Sequence, residues 1–140
     1  MAGFQTDGLS ALSASFDKLA AMPDELMGTM LREGAEVLAR AQQESAEAFG
    51  LRKTGMMIES IKPGKARRTP DGGDIAITPE GTRRRGKTTT RNAEIAYVNE
   101  YGKAGQPGTG FISKANFQSE DEAIGASSQV YYSWLDRIGL

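Results

Sequence analysis

An α+β fold is the class this 140-residue sequence predicts, and three observations carry it. Two long stretches, 24–49 and 113–138, repeat apolar residues at helical spacing. Between them lie short β-like runs divided by turn signals, "TPDGGD" at 69–74 being the clearest. The strand material is too scarce for a doubly wound parallel sheet, so a small antiparallel sheet flanked by helices is expected. The length suits a single domain over 1–140.

The first element is "TDGLSALSASFDKLAAMP". Leu9, Leu12, Phe16 and Leu19 predict a short amphipathic helix, with Thr6 or Asp7 as its cap. Pro23 breaks that pattern and suits the first turn of a second helix, where Asp24 and Glu25 meet the positive end of the dipole. The long helix that follows turns Met27, Met30, Leu31, Gly34, Leu38 and Ala41 inward, with Phe49 extending the face. Glu33, Glu36, Arg40, Glu44 and Glu47 mark its solvent side, and Gly50 stops it. Small residues on the inner face, Gly34 and Ala41, admit close approach of another backbone.

Thr54 then caps a short helical turn that points Met57, Ile58 and Ile61 inward and ends at Pro63 and Gly64. A hairpin is expected over 65–78, with Ile75 and Ile77 on its second strand. Residues 79–92 predict a long, mobile basic loop, because no apolar side chain occurs there. "AEIAYVNEYG" reads equally as a short helix or a strand. "GKAGQPGTG" is a glycine-rich connector. The final helix places Phe117, Ile124, Tyr131, Trp134, Leu135 and Ile138 on one stripe, with Gly125 as a weak point.

Composition removes most catalytic chemistry. The chain has no Cys and no His, so disulfides, thiolate metal sites, imidazole bases and triads built on His are excluded. No enzymatic constellation, metal site or cofactor is expected. Glu59, Asp74, Glu94 and Glu100 read as solvated carboxylates, and the tyrosines as core or interface residues. No apolar run approaches a membrane span, and the N-terminus lacks a signal pattern. The net charge of −1 is unevenly spread: residues 62–91 hold nine Lys or Arg against three acids, on an otherwise acidic chain.

The sharpest chemical motif is "GTRRRGKT" at 81–88, which fits the phosphate-loop pattern G-x-x-x-x-G-K-[ST]. A phosphate loop must leave a buried strand and enter a helix, whose first N–H groups hold the phosphates. "TTTRN" offers little helical drive after Lys87. The better reading is a basic loop, either a solvated one that only keeps the protein soluble or one whose Arg83, Arg84, Arg85, Lys87 and Arg91 make phosphate or acidic-partner contacts without base readout.

Three segments carry a resemblance. They are the N-terminal "GLSALSASFDKLAAMPDEL", then "KTGMMIESI" at 53–61 and "AYVNEYGKAGQPGTGFISKA" at 96–115. Their order resembles the tail-component family of long-tailed bacteriophages, the gene-product-ten-like or minor-tail-protein-Z-like group. Thr54, Gly55, Met57, Ser60 and Ile61 match its Thr-Gly-x-Leu-x-x-Ser-Ile pattern, with Met for Leu. Tyr97, Glu100, Tyr101 and Gly102 match its second segment, with Tyr for Phe. Phe111, Ile112 and Ala115 match the third, where Gly110 replaces a frequent Pro. The resemblance implies a non-catalytic virion protein of the neck, at the head-proximal end of the tail and assembled in the host cytoplasm. It implies a homo-oligomeric ring, often a hexamer, around the DNA channel. Its implied neighbours are other neck, tail-terminator, tail-tube or connector proteins, with nonspecific contact to packaged double-stranded DNA. The rival expectation is a nonspecific nucleic-acid-binding module built on residues 83–91.

Overall fold

The computed structural model describes residues 22–51, 55–70, 72–85 and 87–139. The amphipathic helix expected through Leu9–Leu19 and the cap assigned to Thr54 lie outside the described residues. The architecture is α+β, as the sequence predicts: a long helix, small antiparallel sheets and a C-terminal helix. In chain order, α1 spans Asp24–Ala48 and α2 spans Met56–Glu59. Strands β1 (Ile61–Pro63), β2 (Arg67–Thr69), β3 (Gly72–Asp74), β4 (Ile77–Pro79), β5 (Thr82–Arg85) and β6 (Thr88–Arg91) follow. Next come α3 (Asn92–Tyr101), β7 (Gly102–Lys103), β8 (Gln106–Pro107) and α4 (Phe111–Arg137).

Two helices of 25 and 27 residues, α1 and α4, form the frame. They run antiparallel: Ser127 Oγ donates to the Met30 carbonyl (2.7 Å), and Gln42 Nε2 donates to Asn116 Oδ1 (2.9 Å). Pro23 precedes α1 in an extended conformation, and its carbonyl accepts the first helical bond, from Met27 N (3.1 Å). The buried line of α1 runs through Met27, Gly28, Gly34, Ala35, Ala39, Gln42 and Ala46. Met27 and Gly34 of the expected line lie on it, whereas Met30, Leu31, Leu38 and Ala41 sit half-buried on its flank. The cause is Gly34, where a Cβ would stand 2.5 Å from Ser127 Oγ and 3.2 Å from the Ala123 carbonyl oxygen. Backbones this close select small residues for the seam. Glu33, Glu36, Arg40, Glu44 and Glu47 are exposed, as their pattern predicts.

The core lies at one end of this helix pair. Met57 and Ile58 of α2, Ile61 of β1, Ala96 of α3 and Phe111 of α4 gather around Ala39 and Ala46 of α1. Ile61 and Phe111 are the largest fully buried side chains. Residues 61–79 form one broken hairpin, longer than the expected 65–78. β1 pairs with β4, β2 pairs with β3, and Gly64 N donates to the Ala76 carbonyl (2.7 Å) between them. Arg68 ties this hairpin to the start of α1, through Asp24 and the Met22 carbonyl (3.0 Å).

The basic segment 79–92 is not an open loop. β5 and β6 pair as Thr82 with Arg91, Arg83 with Thr90, Arg84 with Thr89 and Arg85 with Thr88. Three successive threonines supply β-branched side chains, which favour extended backbone without being apolar. Asn92 fixes the root: its N–H donates to the Gly81 carbonyl (3.0 Å) and its Nδ2 to the Glu80 carbonyl (2.8 Å). The ambiguous 93–102 stretch is helical.

The seam makes a prediction. Gly34→Val should lower stability by about 1–3 kcal/mol, the usual cost of overpacking a tight contact. Adding Ser127→Gly should recover part of the loss, as read by thermal or urea denaturation.

Candidate functional site

Two surfaces and one junction hold the residues that the sequence singles out. The junction is built around Glu100, at the end of α3. The carboxylate is buried, with 7% of its residue surface exposed. Its Oε1 accepts from the backbone N–H of Ile112 (2.7 Å), and both oxygens accept from that of Ser113 (3.3 Å each). It also accepts a hydrogen bond from the Ser113 hydroxyl. Gly110, the residue before α4, brings no side-chain cap, so Glu100 satisfies the helix's first free N–H groups from another element. A solvated carboxylate was expected here; the structure buries it instead. The reason is the tight β7–β8 return, which brings residue 100 back beside residues 112 and 113.

That return depends on glycine. Gly102 has φ 87° and ψ 179°, a region open essentially to glycine alone. A Cβ on it would lie 2.6 Å from the Gln106 carbonyl oxygen and from Gly108 N. Thr109 N and Gly110 N then donate to the Asn99 and Glu100 carbonyls (2.7 and 3.1 Å). Gly55, before α2, is also left-handed, with φ 80°. Ser60 Oγ closes α2 on the Met57 carbonyl (2.6 Å).

The first surface joins the β5–β6 hairpin to α3. Arg84, Lys87 and Arg91 are exposed, and Arg83 and Arg85 occupy β5 between them. Arg91 Nε pairs with Glu94 Oε1 at 3.1 Å across an exposed surface. Tyr97 and Tyr101, one turn apart, pack as tilted rings with centroids 4.8 Å apart while 63% and 69% exposed. Residues 79–92 contain no aromatic, and the helical form of α3 sets Tyr97 and Tyr101 beside them.

The second surface lies along α4. Phe117 is 84% exposed and Ile124 is 56% exposed. Of the predicted stripe only Trp134 is buried; Tyr131, Leu135 and Ile138 are half-buried. Beside it, an open apolar groove of about 550 Å³ is lined by Leu31, Leu38, Ile77, Ile124 and Tyr131, among others.

No family model, curated protein or solved structure matches the chain. "GTRRRGKT" does not form a phosphate loop: Thr82–Arg85 is a paired strand, Thr88 opens a second strand, and no helix begins before Asn92. Of the residues that carry the resemblance, Ile61 and Phe111 lie in the core. Glu100, Gly102, Gly55 and Ser60 shape turns and helix ends, and Tyr97 and Tyr101 are exposed. Among the described residues, no group of three acidic, Cys or His side chains is placed to hold a metal ion. No described helix is long and apolar enough to cross a membrane.

The junction should be sensitive to small changes. Glu100→Ala should cost about 1–3 kcal/mol, since it strips part-buried N–H groups of their acceptor, and Glu100→Gln less. Gly102→Ala should cost about 1–3 kcal/mol through backbone strain. Urea unfolding of the three variants measures both.

Proposed function

We propose that this chain is a structural, non-catalytic subunit of a bacteriophage neck, at the head-proximal end of a long tail. It completes the tail and joins it to the head, as one copy in a ring around the DNA channel. The observation that supports this most is the meeting of two of the motif segments, 53–61 and 96–115. Residues as distant as Ile61 and Phe111 share one core, and Glu100 binds the start of α4. A resemblance carried by scattered residues is better founded when those residues build one unit. Exposed Phe117, Ile124, Tyr97, Tyr101 and Tyr132 also suit a chain that works inside an assembly.

A second reading rests on the hairpin. Arg84, Lys87 and Arg91 are exposed on a two-stranded arm, a form suited to nonspecific phosphate contact. Under that reading, the isolated protein binds duplex DNA. Replacing the three cations by Ala would then reduce the slope of log affinity against log salt by about three.

The decisive experiment for the leading reading is genetic. Phage lacking this chain should give filled heads and tails that are unjoined or incomplete in electron micrographs, with infectivity lost. Normal infectious particles would sink the proposal.

A further inference from the structure

We infer that copies of this chain dock head to tail, the basic and tyrosine-bearing face of one seated on the apolar, acid-edged face of α4 on the next. The inference deepens the subunit reading above, and rests on it, by naming the surfaces through which copies meet.

The donor face is continuous. Glu94, Tyr97 and Tyr101 recur at three- and four-residue spacing, so they line one side of α3. Arg91 precedes them and the β5–β6 hairpin leads into them, with Arg84 and Lys87 exposed. Residues 82–103 hold six Lys or Arg and two acids, and one of those acids, Glu100, is buried in the junction. Tyrosine and arginine are the side chains that most often dominate binding at protein interfaces.

The acceptor face is its complement. Phe117, Glu120, Asp121 and Ile124 fall within two turns on one side of α4. Between Lys114 and Arg137 the helix carries no Lys or Arg, and its charges are Glu120, Asp121, Glu122 and Asp136. The exposed stripe from Phe117 to Tyr132 is about 22 Å long at 1.5 Å per residue. The groove beneath it is lined by Leu38 and Ile124 and is open to an aromatic ring.

Charge decides the geometry. Two donor faces meeting each other would oppose cation to cation, and two acceptor faces would oppose acid to acid. Like charges brought together across an interface are costly. Only donor on acceptor joins opposite signs and covers exposed apolar surface on both sides. Such a contact is heterologous and leaves a free face at each end, so copies add in a chain or close as a ring.

The test uses the full-length protein in sedimentation-velocity runs. The wild type should self-associate beyond a dimer as concentration rises, and association should weaken with salt. A donor variant, Tyr97→Ala with Tyr101→Ala, and an acceptor variant, Phe117→Ser with Ile124→Ser, should each lose association at least about tenfold. All these residues are exposed, so circular dichroism melting should show both variants folded. Mixed together, the two variants keep one intact donor face and one intact acceptor face. They should therefore form a one-to-one dimer that grows no further. Glu120→Arg with Asp121→Arg should abolish association, and mixing with Arg84→Glu plus Arg91→Glu should restore it.

A monomeric wild type overturns the inference, as does a mixture that fails to dimerise. A monomer whose hairpin binds duplex DNA overturns it in favour of a nucleic-acid face. An acceptor variant that loses stability but keeps association overturns it too, and points to residues 1–21 as the groove's occupant. A failed mixing experiment with unjoined particles in the genetic test leaves the neck reading standing; successful mixing with normal particles does the reverse.

Discussion

The close approach of α1 and α4 at Gly34 is the constraint on which the rest of the structure depends. A Cβ there would meet Ser127 and the backbone of Ala123, so the seam on either side is built from small residues such as Ala35, Ala39 and Ala123. Small side chains bury little apolar area, and each contributes correspondingly little transfer free energy. Register therefore falls to polar groups. Gln42 and Asn116 satisfy each other inside the seam, and Ser127 bonds the Met30 carbonyl. Sliding one helix past the other by a turn would strand these amides without partners, which costs more than the bonds themselves contribute.

A seam of alanine and glycine leaves the large apolar side chains to go elsewhere. Some concentrate at one end, where α2, β1 and α3 close over Ala39 and Ala46 with Phe111 at the centre. Others, Phe117 and Ile124, are turned to solvent along α4. The division of labour is physical. The helix pair holds itself together through proximity and register, and its bulkiest flank is left for contact. In the assembly proposed above, that flank is where the binding energy lies.

This division also explains what was legible in the sequence. The two long helices, the solvent face of α1 and the special role of Gly34 follow from spacing and residue size. The buried line of α1 follows only in part, through Met27 and Gly34, because helical periodicity weights Leu31 and Leu38 above Ala35 and Ala39, although the alanines lie deeper. The same weighting puts Phe117 and Ile124 in the core, when the seam needs a side chain too small to mark a stripe. The β5–β6 hairpin leaves little trace in the sequence because Thr88, Thr89 and Thr90 bring β-branching without hydrophobicity. Glu100 looks like a solvated carboxylate in the sequence because its partners lie twelve and thirteen residues on. No local pattern announces that β7 and β8 fold the chain back, beyond the glycines that make the return possible.

Glu100 also links the two surfaces on which the functional argument rests. The donor tyrosines sit on α3, whose last turn carries the Glu100 carboxylate; the acceptor stripe begins six residues beyond Phe111 on α4. The bonds from Ile112 and Ser113 to that carboxylate, with the backbone crowding of Gly102 against Gly108, hold α3 at one angle to α4. In a head-to-tail assembly, the angle between donor and acceptor faces sets the rotation from each copy to the next. That rotation decides whether a row of copies closes into a ring and how many copies it takes. A junction buried in the protomer, touching no neighbour, would thus set the geometry of the whole assembly. This gives a physical reason for a carboxylate and two glycines to stand where looser sequence would still fold.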